Sequence, residues 1–190
     1  ELSTGSRERR SLRLEDGSQL EMNAGTALDI HFDATQRQIQ LYRGEILLQT
    51  AQPADPRPLV VQTVDGSVRA LGTRFSVRQL PAYTRVGVLQ AAVEVRPLRH
   101  ADQPLRLEAG QQVTFDRDAV SAVGLLPAES AAWVQGMLSV NDWPLGDFIE
   151  ELGRYRPGVL RCDPAVQGLS ISGAFRIDDT DTVLENLSKT

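Results

Sequence analysis

The sequence predicts a mostly β protein: an all-β domain over residues 1–127, then a small α/β domain over residues 128–190 with two helices packed on one sheet. Three observations predict it. Apolar residues recur at every second position from Leu12 to Phe115. Gly-containing turns, two of them Asp-Gly, interrupt that alternation at short intervals. The spacing then changes to a helical one, with Leu145, Phe148, Ile149, Leu152 and Tyr155 on a single stripe.

The elements follow in order. RSLRLEDGSQLEM puts Leu12 and Leu14 on one side, turns at Asp16-Gly17 and brings Leu20 and Met22 back on the same side. Asp-Gly between alternating segments signals a hairpin because both residues tolerate positive φ. ALDIHF continues with Leu28, Ile30 and Phe32, and in RQIQLYRGEILLQT Gly44 marks a turn or bulge. LVVQTVDGSVRALGTRFSV repeats the device. Leu59, Val61 and Thr63 alternate, Asp65-Gly66 turns, Val68 and Ala70 return, and Phe75 and Val77 begin the next strand. Val86 and Val88, then Val93 and Val95, give two more; Leu105 and Leu107 lead through Ala109-Gly110 to Val113 and Phe115. Short strands with turns about every 8–12 residues imply a sandwich, a roll or a short solenoid. The two DGS copies do not extend into a sustained period, so no repeat array is read here.

LPAESAA, residues 126–132, is the linker. Residues 137–140 form a short strand. PLGDFIEELGRY is a helix with Pro144 at its first position, acidic Asp147, Glu150 and Glu151 ahead of basic Arg154 and Arg156, and Pro157-Gly158 as its stop. Residues 159–162 read as a second strand and LSISGAFRI as a third. In the third, Leu169, Ile171, Gly173, Phe175 and Ile177 share one face, and Ser170, Ser172, Ala174 and Arg176 the other. DDTDTVLENLSKT is a helix capped by Asp179 or Thr180, burying Val183, Leu184 and Leu187. The order is strand, helix, strand, strand, helix.

Composition narrows the function. The chain of 190 residues is 41% hydrophobic and 24% charged, as an ordinary soluble domain is. A net charge of −5 with no basic face excludes nucleic acid as a partner; Arg7, Arg9 and Arg10 are the one tight basic group and read as surface. The single cysteine, Cys162, permits no internal disulfide and reads as a structural thiol. His31 and His100 stand far apart without ligand spacing, so neither a metal nor a cofactor is expected. No apolar run is long enough to span a membrane, no signal peptide is present, and the chain opens without an initiator Met; it reads as a piece of a longer protein, with no direct membrane contact. No Gly-x-Ser-x-Gly elbow groups a nucleophile with a base, so no catalytic residues are assigned. Glu150-Glu151 reads as a solvated helix face, and Asp178, Asp179 and Asp181 as helix capping rather than a calcium loop.

Binding is what remains. A small sheet covered on one face by helices keeps free edges that accept a partner strand. The candidate surface is Leu138, Ser139 and Val140 on the first strand with Ser170, Ser172 and Arg176 on the later one. A small-molecule or glycan-binding β domain, with the tail as a brace, is the alternative; glycan sites expose aromatics, which make up only 5% of this chain.

Several of these stretches carry a resemblance. RSLRLEDGSQLEMNAGTALDIHF, LYRGEI, LVVQTVDGSVRALGTRFSV, VLQAAVEV and LEAGQ, in that order, resemble the periplasmic region of FecR-like sensors, inner-membrane anti-sigma regulators of bacterial iron-uptake signalling. WVQGMLSVNDWPLGDFIEELGRYRPGVL and ISGAFRIDD resemble the tail of the same family, which is similar to the short N-terminal domain of secretins and TonB-dependent transducers. The resemblance implies a periplasmic location and, as partner, the N-terminal signalling domain of an outer-membrane TonB-dependent siderophore transducer. A sigma factor would be reached only through a cytoplasmic segment absent from this sequence. Gln90-Ala91 departs from the family's frequent Glu-Gly, so the turn there is expected to differ. Gly72-Thr73 reads from its residues as a structural corner. The resemblance adds a rival reading, because some members are cut at a Gly-Thr bond by an acyl shift onto the Thr hydroxyl.

Overall fold

Among the described residues thirteen strands precede the linker, and all but the two-residue first and last of them fall in the alternating stretch. The computed structural model describes residues 1–51 and 55–189. β1 (Leu2–Ser3), β2 (Arg10–Arg13), β3 (Gln19–Met22), β4 (Ala27–Phe32) and β5 (Arg37–Gln49) come first. β6 (Leu59–Gln62), β7 (Gly66–Ala70), β8 (Arg74–Gln79), β9 (Thr84–Gln90), β10 (Ala92–Pro97), β11 (Leu105–Glu108), β12 (Gln111–Phe115) and β13 (Gly124–Leu125) follow. Asp16-Gly17 lies in the connection from β2 to β3 and Asp65-Gly66 leads from β6 into β7; in each pair only the glycine takes a positive φ, and Asp16 Oδ1 accepts from Ser18 N at 2.9 Å instead.

The strands form one sheet that curls round a single core. The long β5 makes the curl. Its first half pairs with β4 and, in parallel, with β6; its second half pairs with β3 and β8. The inward residues of nearly every strand meet in the core: Leu20, Leu28, Ile39, Leu48, Leu59, Val68, Phe75, Val86, Val93, Leu107 and Phe115 are buried together. Each such side chain contributes about 1.5–3 kcal/mol. Near the start of β5 the guanidinium of Arg37 pairs with the buried carboxylate of Asp16. Burial raises the Asp16 carboxyl; hydrogen bonds from Ser18 and the Arg37 charge outweigh it and hold the group below its ordinary value.

Three corners, between β7 and β8, β9 and β10, and β11 and β12, stack beside one another. Leu71 N donates to Ala92 O at 3.2 Å, Ala109 N to Ala91 O at 2.9 Å, and Gly110 N to Val88 O at 2.8 Å. Each corner holds a residue in the left-handed region: Gly72 at φ 73°, Ala91 at 57° and Gly110 at 82°. At Gln90-Ala91 the turn holds an alanine in the left-handed region, at a cost of about 1–2 kcal/mol. Ala91→Gly is therefore expected to stabilise the chain by roughly 1 kcal/mol, read as a higher urea midpoint with an unchanged slope.

The tail contains β14 (Met137–Pro144), α1 (Leu145–Gly153), β15 (Ser170–Arg176) and α2 (Thr180–Leu187). β14 and β15 pair antiparallel, with an irregularity between Val140 and Trp143. Val140, Phe148, Leu152 and Val183 form the tail core, joined by Ile171 and Phe175; the Phe148 and Phe175 rings lie 4.7 Å apart. Asp179 caps α2, accepting from Thr182 N at 3.3 Å. Three readings need correction. Residues 159–162 are loop, not strand: Pro157-Gly158 and Asp163-Pro164 leave four residues between breakers, and Val159 is 83% exposed. Pro144 ends β14 and caps α1, so the helix begins at Leu145. Leu169 lies before β15 and is 59% exposed rather than core.

Candidate partner-binding site

The tail is fastened to the curled sheet by apolar and ionic contacts. Trp133, in the 3-10 turn Ala132–Gln135, packs with Tyr155 and Ile177 of the tail against Ala24 and Leu47 of the sheet. Beside this patch four charges interlock. Arg78 Nη2 donates to Glu151 Oε2 at 2.7 Å; Arg154 Nη1 donates to Glu151 Oε1 at 2.7 Å and to Glu45 Oε2 at 3.0 Å. Asn23 Nδ2 donates to Glu45 Oε2 and to Tyr155 Oη, each at 2.9 Å. The four charged side chains are only 12–18% exposed, and two carboxylates balance two guanidiniums.

This corrects the reading of Glu151 as a solvated residue. Burial alone would raise its carboxyl; the Arg154 and Arg78 charges overcome that and hold it below the ordinary 4.5. Burial would likewise depress Arg154, but Glu151 and Glu45 raise it. Burial, then the Glu151 charge, raises the Tyr155 phenol, so it stays a neutral hydrogen-bonding group. The helical stripe gave no sign of this, because the partner, Arg78, comes from an alternating polar position on β8.

A groove of about 510 Å³ runs between the tail and the sheet. Its floor is the outer face of the sheet, with Ser76 and Arg78 of β8, Arg85 and Gly87 of β9, and Gln112 of β12. The linker from Leu126 to Ser130 makes one wall, and the Leu126 side chain lies directly over Gly87. β14 makes the other wall. Met137, Leu138, Ser139, Val140 and Asn141 all line the groove, and no residue of β15 does. Side chains alternate across a strand, so five consecutive lining residues mean that the groove sees the edge of β14.

The hydrogen-bond register says which groups that edge offers. Ile177 N donates to Gly136 O at 3.0 Å, and the next pairs are Met137 with Arg176, Leu138 with Phe175 and Ser139 with Ala174. In an antiparallel ladder bonded and non-bonded pairs alternate. Leu138 and Val140 therefore spend their main-chain groups on β15, while Met137 and Ser139 turn theirs toward the groove.

The predicted surface residues divide accordingly. Ser139 supplies an outward main chain; Leu138 is half-buried and Val140 is buried in the tail core, so neither side chain is free. Ser170, Ser172 and Arg176 are exposed on β15, away from the groove. Ser170 Oγ donates to the Asp142 carboxylate, and Ser172 Oγ accepts from Asp142 N at 2.8 Å. Gly72 and Thr73 sit at a corner remote from the groove. Thr73 is buried, its hydroxyl donates to Gln90 O, and its carbonyl accepts from Thr50 N at 3.0 Å. Cys162 is a free, half-buried thiol in a loop. Among the described residues no cluster of His, Cys, Asp and Glu has the makings of a metal site, and no helix is long and apolar enough to cross a membrane.

Residues 1–94 match the family described as FecR protein. Over those residues, just under half of its length, the chain is similar to the FecR family. It is a family of signalling regulators rather than enzymes. The FecR match ends within β10, before the linker and the tail. Two crystal structures of a candidate anti-sigma factor from Parabacteroides distasonis, at 2.50 and 1.65 Å resolution, share the fold over 99% of this chain. The TM-scores are 0.78 and 0.76, each at 24% identity, and the alignments cover 89% and 90% of those chains. No curated protein matches.

Proposed function

We propose that this chain is the periplasmic signalling region of an inner-membrane sigma regulator. Its tail docks the N-terminal signalling domain of an outer-membrane TonB-dependent siderophore transducer. The observation that carries this reading is the tail sheet: among the described residues, two strands, helices on one face, and main-chain groups at Met137 and Ser139 left without a neighbouring strand. Docking there shifts the full-length protein between holding and releasing a sigma factor, through regulated proteolysis and a cytoplasmic segment outside this sequence, and so controls iron-uptake genes. A stable contact of this kind buries roughly 1,600 Å² in total. Calorimetric titration with the transducer domain is expected to give saturable one-to-one binding that a chain of residues 1–127 lacks. Equal affinity for that shortened chain would overturn the reading.

At Gly72-Thr73 the structural corner is the preferred reading. For an acyl shift the Thr73 oxygen must attack the Gly72 carbonyl, forming an ester and freeing the Thr73 amine, before water cuts the ester. Here the hydroxyl proton is engaged by Gln90 O, a weak base, and no carboxylate or imidazole hydrogen-bonds to Thr73 among the described residues. Intact-mass measurement after long incubation is expected to give one uncut species; two fragments meeting at this bond would establish cleavage instead.

A further inference from the structure

We infer that the groove between the tail and the sheet receives an extended partner strand that pairs with the free edge of β14 and sets a carboxylate against Arg85. The inference rests on the docking reading above and names the surface and the chemistry of what docks. Two strand edges are open in the tail. On β15 the outward pair partners, Ala174 and Arg176, are exposed with no wall beside them. On β14 the edge lies inside a groove whose lining includes Trp133, Trp143, Tyr155, Met137 and Leu126. A strand added to β14 exchanges main-chain hydrogen bonds with Met137 and Ser139 and has apolar surface against its side chains; one added to β15 has only the first.

The charge argument is independent of the edge. Glu45, Arg78 and Arg85 follow one another across the sheet, Glu45 paired in register with Arg78 and Arg78 with Arg85. Two arginines directly opposite repel. Glu151 neutralises Arg78, but Arg85, half-buried on the floor, has no ion pair or side-chain hydrogen bond among the described residues. Glu129, the other unpaired charge of the lining, is exposed on the linker wall, where water solvates it. A strand laid in the groove removes water from Arg85, so it binds well only if it brings an acceptor there, and an acidic side chain serves best.

The probe is the transducer's signalling domain, titrated against wild-type chain and three variants by calorimetry. Ser139→Pro removes the outward N–H without touching the bonds to β15, since proline is tolerated where an edge N–H faces away from the ladder. Arg85→Glu reverses the floor charge at a half-exposed site and keeps the fold testable if the proline does not. Ala174→Pro blocks the β15 edge instead. The groove predicts affinity at least tenfold weaker for Ser139→Pro and for Arg85→Glu at unchanged melting temperature, and wild-type affinity for Ala174→Pro. Wild-type binding by both groove variants, or loss confined to Ala174→Pro, overturns the inference and leaves the docking reading standing. Absence of binding by the wild-type chain overturns both.

Discussion

Gly44→Ala is expected to cost about 4 kcal/mol, enough to unfold a large fraction of a marginally stable chain at physiological temperature. Two effects add. Gly44 bends β5 at φ +87°, a conformation that costs an L side chain about 1–2 kcal/mol. The new Cβ would also lie 2.4 Å from Thr26 Oγ1 and 2.5 Å from Thr26 Cα. The second of these is backbone and cannot rotate aside, so overpacking adds about 1–3 kcal/mol. Thr26 cannot retreat cheaply: its hydroxyl accepts from Glu45 N at 3.0 Å and its amide donates to Thr4 Oγ1 at 2.9 Å. Because β5 belongs to both halves of the curl, the loss is expected to be global, with far-UV and near-UV signals falling together in a urea titration. A cost below about 1 kcal/mol would mean that the bend is soft.

Glu151→Ala is expected to lower stability by about 3 kcal/mol, because it strands Arg78 and Arg154 in a poorly solvated interface. Glu45 still holds Arg154, while Arg78 loses the one carboxylate that pairs with it among the described residues. The tail should loosen first, so the fluorescence of Trp133 and Trp143 is expected to change at lower denaturant than the sheet's circular dichroism. The pH dependence has a definite sign. The folded Glu151 carboxyl is held below the ordinary 4.5, so its contribution is complete above that value and is lost as pH falls through the folded one. The melting temperature of the wild type should therefore hold above pH 5 and drop below about 4.5. Glu151→Gln, starting lower, should drop less steeply. Asp16 acts in the same direction in both proteins, so only the difference between them reports on Glu151.

The β region was legible because its core is written in a period of two. Leu20, Met22, Val61, Val68, Val93, Val95, Val113 and Phe115 are all buried where the alternation put them. Gly44 was visible as a turn or bulge, but not as the point where one strand passes between two sets of neighbours, which depends on pairings remote in sequence. The tail was less legible. Its short loop of residues 159–162 has β-branched Val159 beside apolar Leu160, yet gains no partner strand among the described residues, and β-propensity without a neighbour does not make a strand. Strand edges were anticipated, and Ser139 was among the residues chosen, but periodicity does not say which edge a second unit will face. Nor does it say that Arg78 and Arg85, two polar positions on separate strands, end up side by side beneath it. Glu151 was misjudged for the same reason: a helical wheel records distance from the helix's own apolar stripe, not a guanidinium arriving from another element.

Strand addition to β14 is tested most directly by amide hydrogen exchange on the chain alone and in complex with the transducer's signalling domain. The N–H groups of Met137 and Ser139, which face the groove, should slow markedly on complex formation, while those of Leu138 and Val140, already given to β15, should change little. New protection confined to β15, or to the curled sheet with Met137 and Ser139 still exchanging freely, would contradict it.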